Sequence, residues 1–305
     1  MVSARAEVLR RRAALLGVAV AGLLVATKLV AAVVTGSIAV LSSLADSLAD
    51  LAASGLTLWT VGVAAIPADE DHRFGHGKAE ALSSLVQAAL LLGAGVFVLI
   101  LGFERVVDPA PVVRTNLALA VMGLSLVGSL AVVLGQGYVL GRVDSLAIRA
   151  DREHYRGDAL ANLAVIVAVV VEGVPGFGWI DPVMGALIAV VLVTSAFGIG
   201  RRSVDLLMDR ELDDGVRAVI ADLVRADPDV RDLHDLRTRS IGRGVHIDLH
   251  LELDGELSLR DAHTITDRVE ERLWRHFPGA ELSIHQEPAG LVDDRLDDRV
   301  RADSP

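Results

Sequence analysis

Apolar residues in this chain occur in long blocks rather than at the spacing of amphipathic helices. Each block is about 20 residues or longer, the length that an α-helix needs to cross the hydrocarbon core of a bilayer. The pattern predicts a bundle of six transmembrane helices, at residues 13–35, 38–66, 80–106, 116–140, 154–172 and 180–207. The first block is too long for the apolar core of a cleaved signal peptide, and it contains Lys28. We expect Lys28 to reach the membrane surface or to face the bundle.

After the sixth block the long apolar runs stop and periodic patterns begin. Residues 213–226 and 258–277 have the spacing of amphipathic helices, whereas 245–254 alternates strictly between apolar and polar residues, as a half-buried strand does. The order helix, strand, strand, helix, strand predicts a small α+β domain of split βαβ type. The predicted organisation is a membrane all-α domain at 1–208, an α+β domain at 209–290 and a charged, disordered tail at 291–305.

Basic residues are concentrated in alternate loops. The N-terminal segment, the 67–79 and 141–153 loops and the segment after the sixth block all carry Arg or Lys. The intervening loops carry few basic residues: the 36–37 and 173–179 connections have none, and the 105–115 loop has Arg105 and Arg114. By the positive-inside rule, this distribution predicts that both termini face the cytoplasm.

The composition limits which metal ligands and which partners the chain can have. The chain is 52% hydrophobic with a mean hydropathy of +0.48, as expected of an integral membrane protein. It contains no cysteine, so any metal ion must be held by His, Asp or Glu. The net charge of −11 argues against a nucleic-acid partner. The chain has no Gly-rich Walker loop, so no nucleotide is expected as the energy source.

Two carboxylates interrupt the second apolar block. Asp46 and Asp50 are four residues apart in SSLADSLAD, and each would cost about 2.5–3.5 kcal/mol on insertion into hydrocarbon. The fifth block begins with His154 and Asp158 at the same spacing, which places each pair on one helix face. Two facing helices would bring these four ligands together. Such a set suits Zn²⁺ and also tolerates Fe²⁺, Mn²⁺ or Cd²⁺.

An alternative without metal stays open at this point. Asp46 and Asp50 would then pair with Lys28 or with helix ends, and His154 would lie at the membrane surface.

The chain resembles the cation diffusion facilitators, and within them the bacterial zinc/iron branch. The resemblance rests on GSIAVLSSLADSLADLAASG (36–55), DEDHRFGHGKAE (69–80), HYRGDALAN (154–162), HDLRTRSIG (234–242) and IHQEP (284–288). It implies six transmembrane helices, a cytoplasmic metallochaperone-like domain and a homodimer in the lipid bilayer. It also implies export of divalent metal in exchange for protons across a bacterial plasma (inner) membrane.

The resemblance also implies site residues. Asp46, Asp50, His154 and Asp158 correspond to the family's transport site, and this ligand combination favours Zn²⁺, with Fe²⁺, Cd²⁺ and Mn²⁺ as alternatives. Asp69, His72 and His76 correspond to a weaker, solvent-accessible metal site, for which their spacing of three and four is suitable. The alternative for that loop is a polar turn that Gly75 and Gly77 allow.

In the C-terminal domain the resemblance implies a binuclear site at the dimer interface, where Zn²⁺ would be a regulatory or structural ion. Its ligands would be His234, His250, His263, His285 and Glu287. Glu287 departs from the pattern, because the bacterial relatives have Asp there. Lys78 and Asp209 correspond to a charge pair that interlocks two protomers. His246 and His276 have no counterpart as ligands, and we expect them at the surface.

Two other classes of function remain as alternatives. An intramembrane metalloenzyme would need an open metal position for water and a motif such as HExxH. The chain has no HExxH motif, and the predicted four-ligand site leaves no open position. A metal sensor that does not transport would have no need of ligands buried in the membrane. We therefore expect a transporter and no enzyme. His154 is the expected proton-coupling group, with Asp50 or Asp158 sharing that role.

Overall fold

The computed structural model describes residues 2–35, 38–107, 116–171, 180–290 and 295–302. The chain divides into two compact units, Met1–Val204 and Asp205–Pro305. We call them the membrane unit and the C-terminal unit. The connections at 36–37 and 173–179 and most of the 105–115 loop, on which the charge argument depends, lie outside the described residues.

In the described part of the chain, the membrane unit consists of long helices. They are α1 (Val2–Thr35), α2 (Ile38–Ala64), α3 (Ala79–Val107), α4 (Asn116–Leu140), α5 (Leu146–Val171) and α6 (Ile180–Leu207). Among the described residues, five of these are long and apolar enough to cross a membrane, all but α5. The predicted helical bundle is confirmed. Helix α5 differs because its first half is charged, from Arg149 to Asp158.

Two helices begin earlier than the apolar blocks predicted. Helix α1 begins at Val2 rather than at residue 13, and α5 begins at Leu146 rather than at residue 154. Apolar runs mark only the part of a helix that meets lipid, whereas a helix begins where its first N–H groups are capped. For α5 the Ser145 hydroxyl accepts a hydrogen bond from the Ile148 N–H at 3.3 Å. His154 therefore lies well inside the helix rather than at its end.

Polar contacts hold α5 against three neighbouring helices. Asp151 is fully buried and accepts hydrogen bonds from Ser54 Oγ of α2 at 3.0 Å and from Gln136 Nε2 of α4 at 2.6 Å. The Tyr155 hydroxyl donates to the Gly17 carbonyl of α1 at 3.1 Å. Burial of these groups is tolerated because each is hydrogen-bonded. The contacts orient the charged face of α5 toward α1, α2 and α4.

The C-terminal unit contains the predicted succession of helices and strands. They are α7 (Asp214–Arg225), β1 (Asp232–Ser240), β2 (Val245–Leu253), α8 (Leu259–His276), β3 (Glu281–Pro288) and α9 (Leu296–Ala302). The sheet order is β1-β2-β3, with β1 antiparallel and β3 parallel to the central strand β2. The predicted α+β fold is confirmed.

The alternation along β2 separates a core face from a polar face. Ile247, Leu249 and Leu251 are fully buried, and they pack in one cluster with Val269 and Leu273 of α8. Because successive side chains of a strand point to opposite faces, the histidines and acids between them lie on the other face of the sheet. The helices thus cover one side of the sheet and leave the other side for polar chemistry.

The tail differs from the prediction of disorder, because residues 296–302 form helix α9. Its first turn is held by Asp235, whose carboxylate accepts the N–H groups of Leu296 at 2.9 Å and Asp297 at 3.0 Å. The Asp235 N–H in turn donates to Asp297 Oδ2 at 3.2 Å. Composition suggested disorder because the tail is charged and short of apolar residues, but a reciprocal cap from β1 needs no apolar surface.

Asp227, in the turn after α7, joins that turn to α8. It is 1% exposed and accepts hydrogen bonds from Arg268 at 2.9 and 3.1 Å and from Arg272 at 3.3 Å. The hydrogen bonds from Arg268 hold the pKa of Asp227 below its ordinary value. A lowered pKa in the folded state means that ionised Asp227 stabilises the fold.

We predict that Asp227→Asn lowers the free energy of unfolding of the C-terminal unit by about 1–3 kcal/mol at pH 7. The effect should persist down to about pH 4, where an unfolded Asp titrates, and shrink as the pH falls through the lowered folded pKa. Urea unfolding followed by Trp274 fluorescence measures it, with Trp59 and Trp179 replaced by Phe. Asp229→Asn is the matched control with a smaller effect, because Asp229 contacts Arg268 from an exposed position. A difference that does not change with pH would contradict the prediction.

Candidate metal centres

Helices α2 and α5 bring together three side chains that we call the transmembrane cluster: Asp50, which is buried, and His154 and Asp158, which are half-buried. Each contributes one ligand atom that lies within 4.8 Å of the other two. His154 Nε2 is 2.9 Å from Asp50 Oδ1 and 3.7 Å from Asp158 Oδ2. Asp158 Oδ2 is buried and makes no hydrogen bond. A buried carboxylate oxygen without a hydrogen-bond donor is a site that a cation fits.

Asp46, the fourth predicted ligand, lies outside the transmembrane cluster. It is exposed and precedes Asp50 by one turn of α2. Lys28 of α1, the partner in the alternative without metal, is 4% exposed, and its Nζ donates to Ser47 Oγ at 2.6 Å and to the Ser43 carbonyl at 3.2 Å. The side chain that contacts Asp50 is His154.

Between α2 and α3, the chain forms the loop cluster: Asp69, His72 and His76. Asp69 Oδ1 is 3.5 Å from His72 Nδ1, and Asp69 Oδ2 is 3.5 Å from His76 Nε2. Asp69 also accepts the N–H groups of His72 and Asp71, and the hydrogen bond from His72 is the main reason that its pKa is lowered. The ionised carboxylate is thus available as a ligand, and Gly75, at a φ of 75°, allows the turn.

On the polar face of the sheet lies the C-terminal cluster, which consists of His234, His250, His285 and Glu287. The strand register pairs His234 of β1 with His250 of β2, and His250 with His285 of β3. Neighbouring rings are 5.1 and 4.8 Å apart between centroids. The three histidines therefore form a row across the sheet, because paired positions on neighbouring strands point to the same face.

Glu287 contacts all three histidines of this row. Its Oε1 lies 2.8 Å from His250 Nδ1 and 3.3 Å from His285 Nε2, and its Oε2 lies 3.3 Å from His234 Nε2. The sequence alone did not tell whether Glu287, in place of the Asp of the relatives, has a geometry that can bridge two metal ions. The longer side chain places one oxygen toward each side of His250. One carboxylate with imidazoles on both sides is a donor set that divalent zinc fits.

The structure does not bring His263 into the C-terminal cluster. It is exposed on α8, 3.7 Å from Asp267 of the same helix. His276 is exposed, as expected. His246, expected at the surface, is only 18% exposed and lies 3.9 Å from Glu281. It is partly covered because the central strand β2 places it between its paired residues, Arg239 of β1 and Glu281 of β3.

Lys78 and Asp209 belong to different units of the chain. Asp209 has a φ of 56° and accepts a hydrogen bond from Arg239 at 3.0 Å within the C-terminal unit. Lys78 is half-buried at the start of α3. Their pairing between two protomers stays a prediction.

Sequence reasoning missed the contact of Glu252 with a predicted ligand. Glu252 Oε1 lies 3.1 Å from His234 Nδ1, on the side of the ring opposite to Glu287. The signal was present, since Glu252 shares the polar face of β2 with His250. It was missed because the pattern does not show which strand pairs with which.

Comparisons with known proteins find relatives of both units of the chain. The family model of the cation efflux transmembrane domain matches residues 14–208, and that of the cation efflux protein cytoplasmic domain matches residues 212–289. The cation-efflux pump FieF of Shewanella oneidensis is 43% identical over 271 residues, which are 89% of this chain and 91% of the relative. FieF of Klebsiella pneumoniae is 39% identical over 283 residues, 92% of this chain and 93% of the relative. The solved metal-bound C-terminal domain of the CzcD transporter from Thermotoga maritima is 26% identical, with a TM-score of 0.24, over 27% of this chain and 100% of that domain.

The matches to both family models define the class of protein as a membrane transporter of cations. The chain belongs to the cation diffusion facilitator family, the cation efflux proteins.

We predict that Glu287→Gln lowers the Zn²⁺ affinity of the C-terminal cluster by at least about tenfold, because the amide cannot serve as an anionic bridge. Equilibrium dialysis of the full chain measures the affinity. A background with Asp158→Ala, His72→Ala and His76→Ala removes the other two clusters. Glu281→Gln, on the same strand, is the matched control and should bind as the background does. Equal affinity of the two variants would exclude Glu287 as a ligand.

Proposed function

We propose that this protein exports divalent metal, with Zn²⁺ as the favoured substrate, from the cytoplasm in exchange for protons. The observation that carries the proposal is the transmembrane cluster, in which a buried carboxylate, Asp50, meets the half-buried imidazole of His154 and the half-buried carboxylate of Asp158 between α2 and α5. Ionisable residues at membrane depth mark ion pathways, because their burial is otherwise unfavourable. The relatives named FieF, which are cation-efflux pumps, support the direction of transport.

The contact between His154 and Asp50 supports coupling to protons. The separation of 2.9 Å between Nε2 and Oδ1 requires a proton on one of the two atoms. That proton occupies the lone pair that a metal ion needs, since ligands bind metal in their deprotonated form. Binding of the metal ion at His154, Asp50 and Asp158 therefore releases a proton. A proton that enters from the other side of the membrane re-forms the contact and expels the metal ion.

Asp46 would complete the ligand set from its exposed position one turn away. Rotation or translation of α2 against α5 during the change of access would move Asp46 toward His154. Ligand chemistry favours Zn²⁺ for one nitrogen and several carboxylate oxygens, with Fe²⁺, Cd²⁺ and Mn²⁺ as alternative substrates.

The two further clusters would act outside the membrane. We propose that the protein is a homodimer in a bacterial plasma membrane with both termini in the cytoplasm. Zn²⁺ at the C-terminal cluster, with His263 as an additional ligand, would then favour the dimer state that transports. Lys78 of one protomer and Asp209 of its partner would interlock the dimer, and the loop cluster would bind metal weakly.

We predict that Zn²⁺ uptake into proteoliposomes under an imposed pH gradient falls to the level of protein-free liposomes in Asp158→Asn. The amide removes one anionic ligand while keeping the shape of the side chain. Glu153→Gln is the matched control, since it changes a neighbouring acid of α5 that pairs with Arg156 instead. It should transport as the wild type does.

The same assay decides between the alternatives. Flux that persists in Asp158→Asn would exclude the transmembrane cluster as the pathway. Zn²⁺ binding without flux in the wild type would favour a metal sensor. Parallel runs with Fe²⁺, Cd²⁺ and Mn²⁺ rank the substrates, and a faster ion than Zn²⁺ would change the substrate but not the mechanism.

A further inference from the structure

The C-terminal tail contacts Glu252, the residue whose carboxylate lies next to His234 Nδ1. Glu252, which is 9% exposed, accepts a hydrogen bond from Arg295 at 2.6 Å through the same Oε1 that faces His234 Nδ1. Arg295 directly precedes helix α9. The tail, the buried carboxylate and the first histidine of the C-terminal cluster are thus connected in one chain of contacts.

This chain of contacts determines how His234 presents its ring. Glu252 is an acceptor for a proton on Nδ1, and Nε2 on the other side of the ring lies 3.3 Å from Glu287 Oε2. A histidine that donates its Nδ1–H to a carboxylate has its Nε2 lone pair directed at the metal position. Arg295 holds the Glu252 carboxylate in the place where it accepts that proton, because a charge-assisted hydrogen bond is short and directional.

The backbone beside His234 is held by the same tail. Asp235, the next residue of β1, has a φ of 49°, and the strand register shifts between His234 and Arg237. A left-handed conformation costs a non-glycine residue about 1–2 kcal/mol and persists where surrounding contacts fix it. The reciprocal cap between Asp235 and the first turn of α9 provides those contacts. The tail therefore fixes both the side chain of His234, through Glu252, and the strand conformation next to it.

We propose that residues 295–302 of the tail are part of the C-terminal metal site. Arg295 is a positioning residue that acts through Glu252 on His234. This inference rests on the proposed metal binding by the C-terminal cluster. The tail then sets the metal affinity of the site without supplying a ligand. A change that frees the tail from β1 weakens metal binding there, and this couples the state of the C-terminus to the metal occupancy of the protein.

The test measures the Zn²⁺ affinity of the full chain by equilibrium dialysis with Zn²⁺ alone. The background again carries Asp158→Ala, His72→Ala and His76→Ala. We expect Arg295→Ala, and deletion of residues 295–305, to lower the affinity about 10- to 100-fold, the usual effect of losing a partner that orients a metal ligand. Arg295→Lys keeps a cationic donor and should restore most of the affinity. Arg299→Ala, in the same helix, is the matched control and should leave it unchanged.

A double-mutant comparison separates positioning from a general effect on folding. With Glu252→Gln already present, Arg295→Ala should lower the affinity by less than about twofold further, since interacting residues are not additive. A full additional loss would show that Arg295 acts on the fold rather than through Glu252, and would overturn the inference. Urea unfolding followed by Trp274 fluorescence, in the background lacking Trp59 and Trp179, should give the same midpoint for Arg295→Ala and Arg299→Ala.

The failure of this inference is distinguishable from failure of the site itself. If Glu287→Gln abolishes Zn²⁺ binding while Arg295→Ala binds as Arg299→Ala does, the site stands and the role of the tail is excluded. If the background protein binds no Zn²⁺ and Glu287→Gln leaves the Zn²⁺ binding unchanged, the proposed C-terminal site is excluded, and the inference is excluded with it.

Discussion

One constraint governs the membrane unit: a carboxylate that is buried among its helices needs a hydrogen-bond or ion-pair partner. Asp50 meets the constraint through His154, and Asp151 meets it through Ser54 and Gln136. Both contacts join α2 to α5, so the polar residues that are unfavourable in lipid are also the ones that fix these two helices against each other. This explains why α5 falls short of the hydropathy of its neighbours and still belongs to the bundle. Its buried polar residues Asp151 and Tyr155 contact α1, α2 and α4.

In the C-terminal unit, the sheet determines where the polar residues lie. Strict alternation along β2 buries the leucines beneath α7 and α8 and leaves the histidines on the other face. The register of the three strands then aligns His234, His250 and His285, and Glu287 contacts each of them. Two carboxylates, Glu252 and Glu287, lie on opposite sides of the His234 ring. Strand pairing determines the position of each histidine in the row. For His234, the contact of Nδ1 with Glu252 determines which ring nitrogen has its lone pair free for a metal ion.

Much of this was accessible from the sequence because periodicity encodes it. Helical spacing predicted one pair of ligands on α2, Asp46 and Asp50, and one pair on α5, His154 and Asp158, and all of these except Asp46 meet in the structure. Two-residue alternation placed His250 on a polar sheet face. What could not be predicted depends on contacts between distant segments. Helix α9 exists because Asp235, far away along the chain, caps its first turn. Composition alone describes such a segment as a disordered tail. For the same reason Glu252 was missed, and α5 was expected to begin where its apolar run begins rather than at the cap provided by Ser145.

Each cluster contains an imidazole in contact with a carboxylate, so competition between protons and metal ions is inherent in all of them. Competition alone does not make a transporter, because a ligand set on an accessible surface exchanges its metal ion with one compartment only. Transport needs the same ligands to be reached from two sides in turn, and only a set buried between helices that can move against each other meets that condition. Asp50 and His154 lie on two different helices, whereas His234, His250 and Glu287 lie on the strands of one sheet. The geometry of the transmembrane cluster is therefore the one compatible with the proposed transport.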